Sequence, residues 1–128
     1  MAIIGYPPIL ALLITLVSLA GCGGVASETL ARAVAAIEAG APVIDVRTEA
    51  EYARGHLPEA KLVPYARIDD HIGSLVPNKE QTVVLYCHSG RRSGIAAGTL
   101  RRMGYQDVIN AGGLADLLTY RQQQREHP

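Results

Sequence analysis

The stretch Val83-Val84-Leu85-Tyr86-Cys87-His88-Ser89-Gly90-Arg91-Arg92-Ser93 decides how this chain is read. Apolar residues run straight into a cysteine, which predicts a buried strand over Thr82 to Tyr86. Small and cationic residues follow, and then a helix-like stretch from Ser93 to Met103. A strand that ends in Cys, followed by a tight loop and a helix start, is a way to make an anionic sulfur. Loop N–H groups can converge on one point, and the helix adds unpaired donors and positive dipole. Two guanidinium groups add formal charge. All of these favour thiolate over thiol, and the thiolate is the nucleophile. Free Cys is also among the most buried residue types, so an inert core thiol is the plain alternative. The sequence His-Ser-Gly-Arg-Arg directly after Cys87 argues for the reactive reading.

Working outward, apolar segments and helix-like segments alternate. Ser27 is placed to cap a helix over residues 28 to 39, with Leu30, Val34 and Ile37 on one face and Gly40 as its stop. Pro42 to Val46 predicts a short strand, Glu49 to Arg54 one or two helical turns, and Lys61 to Val63 a second short strand. Ala66 to Leu75 predicts a helix and Asp107 to Asn110 a further strand. Gly112-Gly113 opens a last helix, Leu114 to Gln124. Strands separated by helices predict an α/β domain with a mostly parallel central sheet flanked by helices on both faces. Ligands of such sheets bind at the carboxyl ends of strands, where Cys87 sits.

The chain has 128 residues, enough for one domain with a real core. Trp and Phe are absent, so Val, Ile, Leu and Ala must fill that core. Net charge is zero, which speaks against nucleic acid as a partner. Charge is unevenly spread: no charged side chain precedes Glu28. Ile9 to Ala20 is an apolar run of signal-peptide length, short for a membrane span of about 20 residues.

The run ends in Leu19-Ala20-Gly21-Cys22, which resembles a bacterial lipobox. The resemblance implies a signal peptide over residues 1–21, lipid on Cys22, a short tether over 22–26 and a domain over 27–128. It also implies a membrane-anchored lipoprotein facing the periplasm. Gly23 after the lipid Cys resembles outer-membrane sorting for a Gram-negative host. No Lys or Arg precedes the apolar run, unlike most secretory signals. An uncleaved anchor over Ala2 to Ala20 is the alternative. With Cys22 lipidated, Cys87 is the only free thiol, and no disulfide can form.

Three blocks between about Ser27 and Tyr120 resemble a single-domain rhodanese, a thiosulfate sulfurtransferase. The first is Val43-Ile44-Asp45-Val46-Arg47 with Glu51-Tyr52 and Gly55-His56-Leu57-Pro58. The second is Cys87 to Ser93. The third is Gly104-Tyr105, Val108 and Gly112-Gly113. Glu59 stands where the family usually has Gly, and Leu117 near a common Trp; both departures touch packing more than chemistry.

The resemblance implies that Cys87 takes the outer sulfur of thiosulfate as a persulfide and passes it to cyanide or a thiol, with no metal and no organic cofactor. It implies substrate binding by His88, Ser89, Gly90, Arg91, Arg92 and Ser93, with Arg92 contacting the sulfur oxyanion. Arg91 steers anions or is simply solvated. Ser93 caps the helix or donates to the anion. His88 invites a general-base role, but the cradle can supply the thiolate without one. Asp45, Arg47 and Glu51 support the loop as one ion network, and His56 is a hydrogen-bonding turn residue. A persulfide carrier serving a protein partner in the envelope needs the same loop. Related phosphatases and arsenate reductases tend to carry one residue more than the six from Cys87 to Arg92.

Overall fold

The computed structural model describes residues 23–128. The signal-peptide segment and Cys22 lie outside the described residues. The elements are α1 (Gly23–Glu38), β1 (Val43–Asp45), α2 (Glu49–Arg54), β2 (Ala60–Leu62), a 3-10 turn (Tyr65–Arg67), α3 (Ile68–Leu75), β3 (Val83–Cys87), α4 (Arg91–Arg102), β4 (Val108–Gly113) and α5 (Leu114–Glu126). The four strands form one sheet in the order β2-β1-β3-β4, and every pair is parallel. The expected α/β class holds.

Strand β3 is buried along its whole length because both faces of the sheet are covered. Its side chains alternate between two cores. Val83, Leu85 and Cys87 pack with Ile68, Ile72, Ala96 and Leu100 under α3 and α4. Val84 and Tyr86 pack with Ala33, Val34, Ile37 and Leu117 from α1 and α5. The period-two pattern thus puts the Cys87 side chain on the α4 face, beside that helix's first turn. Leu117 is fully buried in the core between the sheet and α1. Glu59 stands on the surface, paired with Arg121 on α5 at 2.8 Å.

Several boundaries shift from the sequence expectation, and three of the shifts are larger or touch the Cys87 loop. Helix α1 starts at Gly23, so residues 23–26 are helical and Ser27 is not its cap. That segment contains no Pro to stop the helix from extending upstream. Helix α4 starts at Arg91, which leaves Ser93 inside the first turn; Gly90 holds the cap position at φ 93°. Strand β4 continues through Gly113. Its register against β3 slips between Leu85–Asn110 and Cys87–Gly113, so β4 carries an extra residue beside the cysteine. A bulge of this kind commonly re-aims groups next to a site.

Candidate active site

Cys87 closes β3, and its Sγ lies under the turn that enters α4. The Gly90 N–H donates to Sγ at 2.9 Å, and Ser93 Oγ lies 3.4 Å from it. Gly90 sits in the left-handed region, which lets the loop fold back over the sulfur. Burial opposes ionisation of Cys87. Hydrogen bonds from the Ser93 hydroxyl and from the amides of Ser93, Gly90 and Ser89 outweigh it, and the thiol sits below its ordinary pKa. These donors are neutral dipoles aimed at one atom, an arrangement that holds an anion without bringing in a counter-charge.

Asn110, at the end of β4, ties these donors together. Its Oδ1 accepts from the Gly112 N–H at 3.0 Å and lies 2.7 Å from Ser93 Oγ, whose single hydrogen turns either to this oxygen or to an anionic Cys87 Sγ, while its Nδ2 donates to the Gly90 carbonyl at 3.0 Å. One amide side chain therefore positions both Ser93 and Gly90. Sequence reading passed over Asn110 as a strand residue. The available signal was a polar residue ending an apolar strand directly before Gly112-Gly113. Gly113 matters for a different reason. A Cβ there would lie 2.3 Å from the His88 carbonyl oxygen, so the Cys87 loop rests directly on the β4 backbone.

The charged residues lie on the other side, toward α2. They form two pairs and not a single network. Asp45 takes Arg47 through the Arg47 N–H at 2.9 Å, Nε at 3.0 Å and Nη2 at 2.7 Å. Arg47 Nη2 also donates to the Gly55 carbonyl at 2.7 Å, and the guanidinium carbon lies 5.7 Å from the centre of the Tyr86 ring. Glu51 pairs with Arg92 across 41 residues, in fork geometry at 2.7 and 2.9 Å. Glu51 also completes a capping box with Thr48 at the start of α2. The Arg92 hydrogen bonds hold the Glu51 carboxyl well below the usual range, at about 2. Two Arg92 N–H groups are thus engaged, and a guanidinium has five.

The remaining loop residues face outward. His88, Ser89 and Arg91 are exposed. His56 stacks on Tyr52 at 3.5 Å between ring centres, and its Nδ1 lies 2.8 Å from the Tyr52 carbonyl oxygen, a structural placement. Arg47, Glu51, Arg54, His88, Arg92 and Leu114 line a cavity of about 490 Å³ at the mouth of the loop. A larger cavity of about 590 Å³, between Thr48, Leu62, Arg67 and His71, includes no loop residue. Among the described residues no group of His, Cys, Asp and Glu is arranged to hold a metal, and no helix is long and apolar enough to cross a membrane.

Comparison with known proteins agrees with this geometry. The family described as Rhodanese-like domain matches residues 29–118. The thiosulfate sulfurtransferase PspE of Escherichia coli is 43% identical over 74 residues, covering 58% of this chain and 71% of that protein. The putative sulfur carrier protein YrkF of Bacillus subtilis is 37% identical over 68 residues, 53% of this chain but only 36% of that protein. A solved structure described as a rhodanese with anions from E. coli superposes with a TM-score of 0.59 at 42% identity, covering 60% of this chain and 91% of that one.

Proposed function

The chain belongs to the rhodanese-like family, and from that premise we propose that it is a sulfurtransferase that moves the outer sulfur of thiosulfate through a persulfide on Cys87. The observation that carries this reading is the convergence of the Gly90 amide and the Ser93 hydroxyl on Cys87 Sγ. In the first half-reaction the Cys87 thiolate attacks the outer sulfur. The new bond joins Sγ to that sulfur, the S–S bond of thiosulfate breaks, and its electron pair leaves with sulfite. In the second, cyanide or a thiolate attacks the outer sulfur and Cys87 Sγ departs as thiolate. Every species on the path is anionic. The fixed donors of the loop serve all of them without rearranging. Arg92 has N–H groups beyond those on Glu51 with which to meet the sulfonate oxygens, and exposed Arg91 adds long-range attraction.

A carrier role is the second reading. The observation that favours it is the likeness to a protein named as a putative sulfur carrier. A carrier would load the same persulfide but discharge it to a protein partner. For location, lipidation at Cys22 in the cell envelope is proposed on Leu19-Ala20-Gly21-Cys22 alone; Cys22→Ala should then yield unprocessed or soluble protein.

Mass spectrometry of the protein after thiosulfate treatment tests the chemistry. One added sulfur on the peptide containing Cys87, absent in Cys87→Ser, is expected. An unmodified Cys87 under conditions that release no sulfite would defeat the proposal.

A further inference from the structure

The cavity at the mouth of the loop is too large for the sulfur donor. A water occupies about 30 Å³ of liquid, so thiosulfate, with five heavy atoms, needs on the order of 100 Å³. The cavity holds about 490 Å³, within the rough range of 300–1,000 Å³ that organic ligands fill. Cyanide would leave it emptier still.

Its charge is also unbalanced in one place. Arg47 is matched by Asp45 and Arg92 by Glu51, each at 2.7 Å. Arg54, at the carboxyl end of α2, lines the same cavity and has no ion-pair partner among the described residues. Leu114 adds an apolar wall. A cavity with an uncompensated guanidinium, an apolar patch and a sulfur-bearing cysteine loop at its edge suits a small organic molecule with a thiol at one end and an anionic group at the other.

We propose that Arg54 is a specificity-determining residue for the sulfur acceptor, and that the acceptor is a small organic thiol carrying a carboxylate. This rests on the sulfurtransferase reading. The carboxylate meets Arg54, and the thiolate is left within the cavity to attack the outer sulfur of the Cys87 persulfide. The attacking lone pair forms the new S–S bond. The Sγ–S bond breaks toward Cys87, giving an organic persulfide and the Cys87 thiolate, with no net oxidation or reduction.

The experiment loads the protein with sulfur from thiosulfate and follows discharge in a single turnover by mercaptoacetate and by mercaptoethanol. These thiols are close in size and differ in charge. Comparing the ratio of the two rates between variants cancels the intrinsic reactivity of each thiol. The acid-to-neutral ratio should be highest in wild type. Arg54→Gln should lower the acid-to-neutral ratio by about tenfold, the loss of one charge-assisted contact. Arg54→Lys should retain most of it. Loading by thiosulfate should slow far less than discharge by mercaptoacetate. An unchanged ratio in Arg54→Gln, with loading intact, overturns this proposal and leaves the sulfurtransferase reading standing. Equal losses in loading and discharge also overturn it, because Arg54 would then serve the donor. Failure of wild type to load sulfur overturns both readings.

Discussion

The two sides of Cys87 solve different problems. On the β4 side, uncharged groups converge on the sulfur: the Gly90 amide, the Ser93 hydroxyl and, behind them, Asn110. On the α2 side the groups are formally charged, yet each carboxylate is matched to an arginine: Asp45 to Arg47 and Glu51 to Arg92. The first side stabilises an anion; the second fixes the shape of the loop's mouth and leaves Arg54 as its unmatched charge. Guanidinium groups close to a nucleophile are easily taken for its main source of stabilisation. Here much of their charge is answered locally, and dipoles in hydrogen-bond contact act on the sulfur over shorter distances.

That contrast can be broken from either side. The largest effect should come from Ser93→Ala, which removes a donor to Sγ. Sulfur transfer should fall roughly 10²-fold, the usual scale for losing one positioned donor to an anion. Asn110→Ala loosens both donors without deleting either and should cost less. Steady-state rates with thiosulfate check both, and wild-type activity in Ser93→Ala would show that the β4 side is dispensable. Next comes Gly113→Ala. A methyl placed 2.3 Å from the His88 carbonyl oxygen forces the loop off β4. Stability should drop by about 1–3 kcal/mol, the range for overpacking, and urea unfolding measures it.

The α2 side should respond more weakly. Glu51 has a folded-state pKa depressed to about 2, mainly by its hydrogen bonds to Arg92. A depressed carboxylate contributes stability above its unfolded pKa and loses that contribution as pH falls through the folded value. Glu51→Gln should therefore be less stable than wild type at neutral pH, and the gap should close as pH drops from the ordinary carboxylate range toward 2. The side chains of this pair are 21% and 25% exposed, so the neutral-pH difference should stay at or below about 1 kcal/mol. Urea midpoints of both proteins across that pH range check the sign. A gap that widens toward acid would contradict it.

Much of this layout was legible in the sequence. Apolar runs flanked by turn residues marked β1 and β3, and the position of Cys87 at the end of β3 followed from the run that precedes it. The close pairing of Asp45 and Arg47 was readable because they are two residues apart at a strand end. The partner of Glu51 was not. Arg92 is 41 residues away, and the contact depends on how α2 and the Cys87 loop meet in space. Asn110 was hidden for a similar reason: its role exists only because β4 lies beside β3 with a one-residue slip. Local periodicity reports which face a residue takes within its own element. It carries no record of which distant residue will be its neighbour. The misplaced start of α4 had a further effect. Of the two roles read for Ser93, helix cap or donor to the anion, the first does not hold, because Ser93 lies inside the helix's first turn, beside Sγ.

The central claim, that neutral donors on the β4 side hold Cys87 as thiolate more than the arginines do, is tested most directly by the alkylation rate of Cys87 against pH. The variants to compare with wild type are Ser93→Ala and Arg92→Ala. Both remove something that favours the anion, so both titrations should move to higher pH, with the larger displacement in Ser93→Ala. A curve that stays in place for Ser93→Ala while Arg92→Ala moves it upward would contradict the account and return the stabilisation to the guanidinium.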